Sequence, residues 1–305
     1  MTGPTGIVGT AFIRECIRRN VRVLAVCRKN SPRRNVIPDD KRVSVLECDA
    51  DDFGSISGSV GTYDAFAHFA WLGTKENKKN DVDTQMKNIH MSLEAVHLAA
   101  RLGCRVFMGS GSQAEYGRIN GVLMPETPEK PENGYGIAKQ CAGNMTRLLC
   151  GQLGIDHIWL RILSTYGPGD WSHTIIPTAI RAFSGGIKAE FTKGEQIWDF
   201  IYCEDEAKIL FRLLESGKDG RTYCIGTDQA VPLADSIREI YRIITGRSGD
   251  DEEIGIGKRP YSDQEVMCLR TDPENFTQDI GEVKFTTFDE GIRRTAAWMH
   301  DREIY

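Results

Sequence analysis

Tyr135 and Lys139 stand four residues apart in the run Tyr135-Gly136-Ile137-Ala138-Lys139. On a helix, residues at that spacing project from one face. A phenol and an ammonium paired in this way form an acid/base device. The cation favours the phenolate, draws the tyrosine down from its ordinary pKa of ~10, and lets it exchange a proton with an alcohol or ketone near neutrality. Upstream, Val106-Phe107-Met108 reads as a buried strand running into Gly109-Ser110-Gly111-Ser112-Gln113-Ala114-Glu115-Tyr116-Gly117. A hydroxyl at the end of such a strand, that of Ser112, is placed to hydrogen-bond the same substrate oxygen as Tyr135. At the N-terminus, Gly3-Pro4-Thr5-Gly6-Ile7-Val8-Gly9 spaces glycines as G-x-x-G-x-x-G and leads into a helical pattern of Phe12, Ile13, Cys16 and Ile17. Glycines there permit a tight turn and close backbone approach, so the N-terminus of the following helix faces a pyrophosphate.

Positioning these groups requires a regular scaffold. Strand-like runs at Val21–Val26, Val43–Asp49, Tyr63–Phe69 and Val106–Met108, and another by residue 165, alternate with helical stretches. That alternation predicts an α/β fold, a doubly wound parallel sheet with helices on both faces. Ligands of such sheets bind at the carboxyl ends of the strands, where the glycine loop, Asp49, Phe69-Ala70, Ser112 and Leu163 all fall. Only Met1 and Thr2 precede Gly3, so the buried strand that usually carries the glycine loop is expected to be missing. From Val82 to Leu102, apolar residues at Val82, Met86, Ile89, Leu93, Val96 and Ala100 predict a long amphipathic helix packed on the core through that stripe. Pro125, Pro128 and Pro131 among charges mark a surface excursion before the Tyr135 helix. A short strand is expected at Lys188–Thr192, a helix at Leu233–Ile244 closed by Gly246, and a last helix opened by a Thr287/Glu290 capping box.

Taken together, these pieces resemble the extended short-chain dehydrogenase/reductase family, in its nucleotide-sugar epimerase, dehydratase and reductase branch. Further matches are His68-Phe69-Ala70, Asn88, Leu160-Arg161 leading to Tyr166-Gly167-Pro168-Gly169, and Gly194-Glu195-Gln196 leading to Asp199-Phe200-Ile201. The resemblance covers nearly the whole chain. It implies a catalytic set of Ser112, Tyr135 and Lys139, with Asn88 close behind. It also implies a cofactor site made from Gly3, Thr5, Gly6, Ile7, Val8, Gly9, Arg28, Asp49, Ala50, Phe69, Ala70, Asn88 and Leu163, besides Tyr135 and Lys139 themselves. Substrate is expected to meet Ser112, Gln113, Tyr135, Ser164 and Arg259, the last matching the family's diphosphate-binding arginine. Residues 1–166 with 199–228 then form a Rossmann-like dinucleotide-binding domain, and residues 167–198 with 229–305 a discontinuous nucleotide-sugar-binding domain. Two departures stand out: Trp198 occupies a position where relatives commonly carry Arg, and Ser164 one where many carry Asn.

The cofactor choice turns on the end of the Val21–Val26 strand. An acid about 20 residues beyond the glycines accepts from an NAD ribose, whereas a cation suits the 2′-phosphate of NADP. Cys27-Arg28-Lys29 stands there, which predicts NADP, with NAD as the alternative.

The leading functional expectation is an NADP(H)-dependent oxidoreductase acting at C4 of a nucleotide-linked hexose, a 4-ketoreductase with Tyr135 as general acid/base. The alternative is an NAD-dependent nucleotide-sugar 4-epimerase. A 4,6-dehydratase is less favoured because similar dehydratases place Asp-Glu directly after the hydroxyl residue, and here Gln113-Ala114 follow Ser112. A non-catalytic NADP-sensing protein would be expected to have lost the tyrosine or the lysine. With 305 residues, 40% hydrophobic, 27% charged and a net charge of -5, the chain has no bulk basic surface for nucleic acid and no apolar run near the ~18 residues a membrane helix needs. Nine scattered cysteines without a C-x-x-C pair, and no signal sequence, predict reduced thiols in the cytoplasm. His90 and His97 lack partners spaced as ligands, so no metal is expected. A homodimer is expected through the helices around Val82–Leu102 and Tyr135–Gln152.

Overall fold

The structure, a computed structural model, describes residues 1–56, 60–74, 78–170, 174–187 and 189–302. After the glycine loop the chain runs through α1 (Ile7–Arg18), β1 (Val23–Cys27), β2 (Val43–Glu47), β3 (Ala65–His68), α2 (Val82–Arg101) and β4 (Val106–Ser112). It continues with α3 (Gly134–Leu153), β5 (Asp156–Ile162), β6 (Ser164–Tyr166), α4 (Ile175–Ser184), β7 (Ile197–Trp198) and β8 (Phe200–Tyr202). Then come α5 (Cys203–Ser216), β9 (Arg221–Ile225), β10 (Val231–Pro232), α6 (Leu233–Thr245), α7 (Asp251–Ile254), β11 (Cys268–Leu269), α8 (Glu274–Ile280) and α9 (Phe288–His300).

β3, β4, β5 and β9 pair in parallel, and β1 pairs in parallel with β2. The two groups are joined by Thr2, which bridges both Val26 and His68. The order is therefore β2-β1-Thr2-β3-β4-β5-β9. β1 is buried at all five positions, as a strand covered on both faces must be. One face is covered by α1, α5 and α8 through Phe12, Ile13, Ile209, Leu213 and Phe276, and the other by α2 and α3 through Met91, Ala95, Leu98 and Cys150.

On the line where a strand was expected to be missing, Met1 and Thr2 run between β1 and β3 and bond to both. Met1 N donates to Leu24 O at 2.7 Å, Val26 N to Met1 O at 2.8 Å, and Thr2 N to Ala67 O at 3.0 Å. Beyond Met1, a cleft of about 450 Å³ lies between β1 and β3, lined by Phe12, Val23, Leu24, Phe66 and Phe211.

A second apolar cluster holds α4, α6 and α9 together through Ile180, Ile237, Ile240 and Ile292, beside the small sheet β10-β7-β11. α6 buries Leu233, Ile237 and Ile240 as its pattern predicts and ends on Gly246 at φ +70°. Thr287 caps α9 by accepting from Glu290 N at 3.3 Å. Two expectations are corrected. Residues 189–195 carry no strand, the next one being β7, while Lys188 lies outside the described residues. The buried residues of α2 are Gln85, Asn88, Met91, Ser92, Ala95, Val96, Leu98 and Ala99; of the predicted stripe Val96 is buried, whereas Val82 and Met86 are 68% and 59% exposed. Polar Gln85, Asn88 and Ser92 are turned inwards because buried partners wait for them there, and periodicity alone does not report that.

Candidate functional site

The glycine loop owes its shape to two close approaches. Gly3 has φ +69°, and a Cβ on it would sit 2.7 Å from Ala70 N; a Cβ on Gly9 would lie 2.1 Å from Gly3 O. Only glycine permits either. Thr10 ties the loop to the first turn of α1, its hydroxyl donating to Gly6 O at 2.8 Å and Pro4 O at 3.2 Å. Thr2 holds the loop to β3 by a 2.8 Å hydrogen bond with His68 Nδ1. Burial pushes the His68 pKa down to about 3, so the imidazole is neutral here.

Beside this loop is a cleft of about 420 Å³ lined by Gly3, Thr5, Gly6, Arg28, Asp49, Phe69 and Ala70, among others. Seven residues expected from the sequence therefore meet at one place. Ile7, Val8 and Gly9 form the first turn of α1. The side chain of Ala50 lies outside the described residues. Asn88 and Leu163 are not among the cleft's lining residues. Asn88 instead clamps the loop after β3, donating to Leu72 O and accepting from Leu72 N, both at 2.8 Å. Leu163 packs with Tyr116, Leu123 and Leu269.

At the cation-rich end of the cleft, Lys29 pairs with Asp52 at 2.9 Å and Arg34 with Glu47. Among the described residues no ion pair engages Arg28 or Arg33, and Arg28 helps depress the Arg33 pKa, a like-charge effect that follows desolvation in size. Both guanidiniums line the cleft, and together they make that end of it cationic. Arg33 is a cleft residue that the sequence reading of Cys27-Arg28-Lys29 did not include, because only the fold brings it beside Arg28.

The acid/base corner is built on β4 and α3. α3 starts at Asn133, whose side chain accepts from Gly136 N at 2.9 Å, so Tyr135 lies in its first turn and Lys139 one turn on. Ser112 ends β4 as the N-cap of a short turn: its Oγ accepts from Ala114 N at 3.2 Å, and its N donates to Glu115 Oε1 at 2.8 Å. The phenol of Tyr135 interacts with the Ser112 hydroxyl, which favours the phenolate, but burial dominates and raises its pKa to about 12. Burial likewise lowers Lys139, which is 2% exposed, to about 7, against the pull of Glu115. The expectation that the ammonium sets a low tyrosine pKa is therefore reversed: desolvation outweighs it, and Lys139 Nζ donates to Ser110 O. Each of the two groups is pushed towards its neutral form.

Glu115, which in the sequence stands one residue beyond a dehydratase acid, is fully buried. It accepts from Ser112 N, Trp159 Nε1 at 3.2 Å and Arg161 Nε at 2.8 Å. Arg161 in turn donates to Tyr116 Oη at 2.8 Å, Pro125 O at 3.2 Å and Glu129, and so fastens the excursion before α3 to the sheet. This network escaped sequence reasoning because its members lie tens of residues apart.

On the other side, Ser164 opens β6, and Arg259 is exposed in a loop whose backbone donates to Phe191 O at 3.0 Å. Gln113 is half-buried in the turn after Ser112. Trp198 packs at a tilt against Phe200, with ring centroids 6.5 Å apart and planes at 49°. Asp199 is buried and accepts from Thr227 N at 2.7 Å. Among the described residues no cluster of metal-ligating side chains occurs, and no helix is long and apolar enough to cross a membrane.

Residues 1–226 match the profile of the NAD dependent epimerase/dehydratase family. A dTDP-glucose 4,6-dehydratase of Mycobacterium tuberculosis is 24% identical over 324 residues, covering 100% of this chain and 94% of its own. One from Escherichia coli is 30% identical over 181 residues, 57% of this chain and 50% of its own. Among solved structures, a UDP-N-acetylglucosamine 4-epimerase from Methanobrevibacter ruminantium has a TM-score of 0.87 at 19% identity, covering 99% of this chain and 97% of its own. The dTDP-glucose 4,6-dehydratase DesIV from Streptomyces venezuelae, solved with NAD, has a TM-score of 0.86 at 19% identity and covers 99% and 96%. At these identities the solved structures establish the parallel-sheet fold.

Proposed function

Since the chain belongs to the NAD-dependent epimerase/dehydratase family and is an enzyme of nucleotide-sugar chemistry, we propose that it is an NADP(H)-dependent 4-ketoreductase of a nucleotide-linked hexose. The observation that carries the reading is the Arg28/Arg33 couple lining the cleft after β1, without an ion-pair partner among the described residues and next to Cys27, where an NAD enzyme would offer an acid. The cleft fits a dinucleotide: glycines clear its floor at Gly3 and Gly9, and the N-terminus of α1 opens beside it. When bound, the nicotinamide cofactor supplies hydride.

The chain's own residues do the rest. Ser112 Oγ holds the substrate oxygen. Tyr135 delivers its proton to that oxygen as the ketone becomes an alcohol, and with a pKa held up to about 12 it is fully protonated, as reduction requires. Lys139 stabilises the phenolate left behind. Phe69, Ala70 and Asp49 flank the cofactor cleft, and Gln113, Ser164 and Arg259 face the sugar nucleotide. The dehydratase reading of the similar curated proteins is less well supported, because Gln113 and Ala114 follow Ser112 and Glu115 is committed to Arg161 and Trp159. Exposed Val82 and Met86 on α2, with Ile137 and Leu148 at 53% and 60% exposure on α3, support a homodimer across these helices. A monomer in sedimentation analysis would remove that part.

The deciding experiment is a panel of 4-keto and 4-hydroxy nucleotide sugars incubated with NADPH or NADH, with products read by NMR. Stoichiometric NADPH oxidation by a 4-keto sugar is expected. Interconversion of 4-hydroxy sugars without net cofactor turnover would establish the epimerase instead.

A further inference from the structure

Between the cofactor cleft and Tyr135 stands a side chain that no motif marks, Trp71. Its indole lies in the loop after β3 and lines the cleft next to Phe69 and Ala70. Lys139 Nζ sits 3.7 Å from the centroid of the indole, over its face. The Tyr135 ring meets the same indole edge-on, with centroids 6.0 Å apart and planes at 86°. The indole is held in place: its Nε1 donates to Gln85 Oε1 at 3.1 Å, Gln85 Nε2 donates to Gly73 O and Lys78 O at 3.2 Å each, and Asn88 clamps Leu72 from both sides. Buried polar groups of α2 thus aim one aromatic face at the lysine.

We propose that Trp71 is a positioning residue of the acid/base pair, its indole face keeping Lys139 charged and fixing the orientation of Tyr135. The proposal rests on the reading of Tyr135 and Lys139 as that pair. A buried ammonium needs compensation for lost water, and the described hydrogen bonds of Lys139 Nζ go to Ser110 O and, at 3.4 Å, Ser110 Oγ, both neutral. No described carboxylate touches it. A Trp face is the strongest of the aromatic partners for a cation, and its contribution grows when the site is dry.

The charge matters because only the ammonium stabilises the phenolate, and burial already brings Lys139 down to about 7. The titratable groups around it are Tyr135 on its own helix, His68 from β3, Glu115 at the end of β4 and, lining the same cleft, Lys87 from α2. His68 is neutral at working pH and Glu115 favours the ammonium. The amine loses its proton as pH rises through its pKa, so the alkaline fall of activity follows Lys139, and removing the indole moves that fall to lower pH.

The test measures Lys139 directly by trace labelling with acetic anhydride across pH, with the Lys139 peptide quantified by mass spectrometry, in the full chain without substrate. Wild type, Trp71→Phe, Trp71→Leu and Tyr135→Phe are compared. The lysine pKa is expected to fall by about one unit in Trp71→Leu and by about half a unit in Trp71→Phe, which keeps a weaker face. The alkaline limb of kcat/KM for NADPH with a 4-keto nucleotide sugar should shift in step. A folded Trp71→Leu chain whose Lys139 titrates as in wild type would overturn the proposal; if that variant does not fold, an unshifted Trp71→Phe does so. Failure of the underlying reading shows separately, as an active Tyr135→Phe enzyme, whatever Lys139 does.

Discussion

The two ends of the central sheet are built differently. At the carboxyl ends of the strands Thr2 joins β1 to β3, Gly3 and Gly9 allow the loop to close, and Ser112, Tyr135 and Lys139 converge beside Trp71. At the amino ends, β1 and β3 stand apart around a cleft of about 450 Å³ walled by Phe12, Leu24, Phe66 and Phe211. Thr2 ties the glycine loop to both strands at one end, whereas at the other the cleft leaves apolar walls whose further burial would add stability, because burial scales with the apolar surface covered.

Three changes break or sharpen this contrast. Tyr135→Phe acts at the carboxyl end alone. It should lower kcat by ~10²–10⁴-fold, the usual worth of a positioned proton transfer, while the melting temperature and NADPH affinity stay near wild type. Near wild-type turnover would remove Tyr135 from the chemistry.

Extension by about six apolar residues ahead of Met1 acts at the amino end. Each Val, Leu or Ile that becomes fully buried in the cleft contributes ~1.5–3 kcal/mol, so melting should rise by ~5 °C or more in thermal scans. Cofactor affinity should rise with it, because Thr2 and the glycine loop are then anchored by a longer strand. An extended chain that melts no higher would show that the cleft is not a strand slot.

Arg28→Glu is the smallest and most local change. A carboxylate there repels a 2′-phosphate and offers an acceptor to a ribose hydroxyl, so NADPH binding should weaken by ~10-fold or more, with NADH binding held or improved. Titration of both cofactors decides it, and an unchanged preference would leave Arg28 as a solvated cation. None of the three variants should reproduce the signature of another, since lost turnover, raised melting and altered cofactor preference are separate readouts.

What could be read from the chain itself followed from local rules. Glycine spacing encodes a turn, the Tyr135/Lys139 interval encodes a shared helix face, alternating strands and helices encode a parallel sheet, and Thr287 with Glu290 encodes a helix start. Each depends on neighbours within a few residues, so no folding need be known.

The tertiary structure decided what depends on partners far along the chain. Desolvation, not the adjacent lysine, sets the direction of the Tyr135 pKa, and burial at that point is assembled from β4, α3 and the loop carrying Trp71. Glu115 becomes a buried anchor because Trp159 and Arg161 reach it from β5. α2 turns Gln85 and Asn88 inwards because the backbone of Leu72, Gly73 and Lys78 needs their amides, leaving Val82 and Met86 outside. Met1 and Thr2, too short to announce a strand, bridge β1 and β3 because those two strands leave a gap between them.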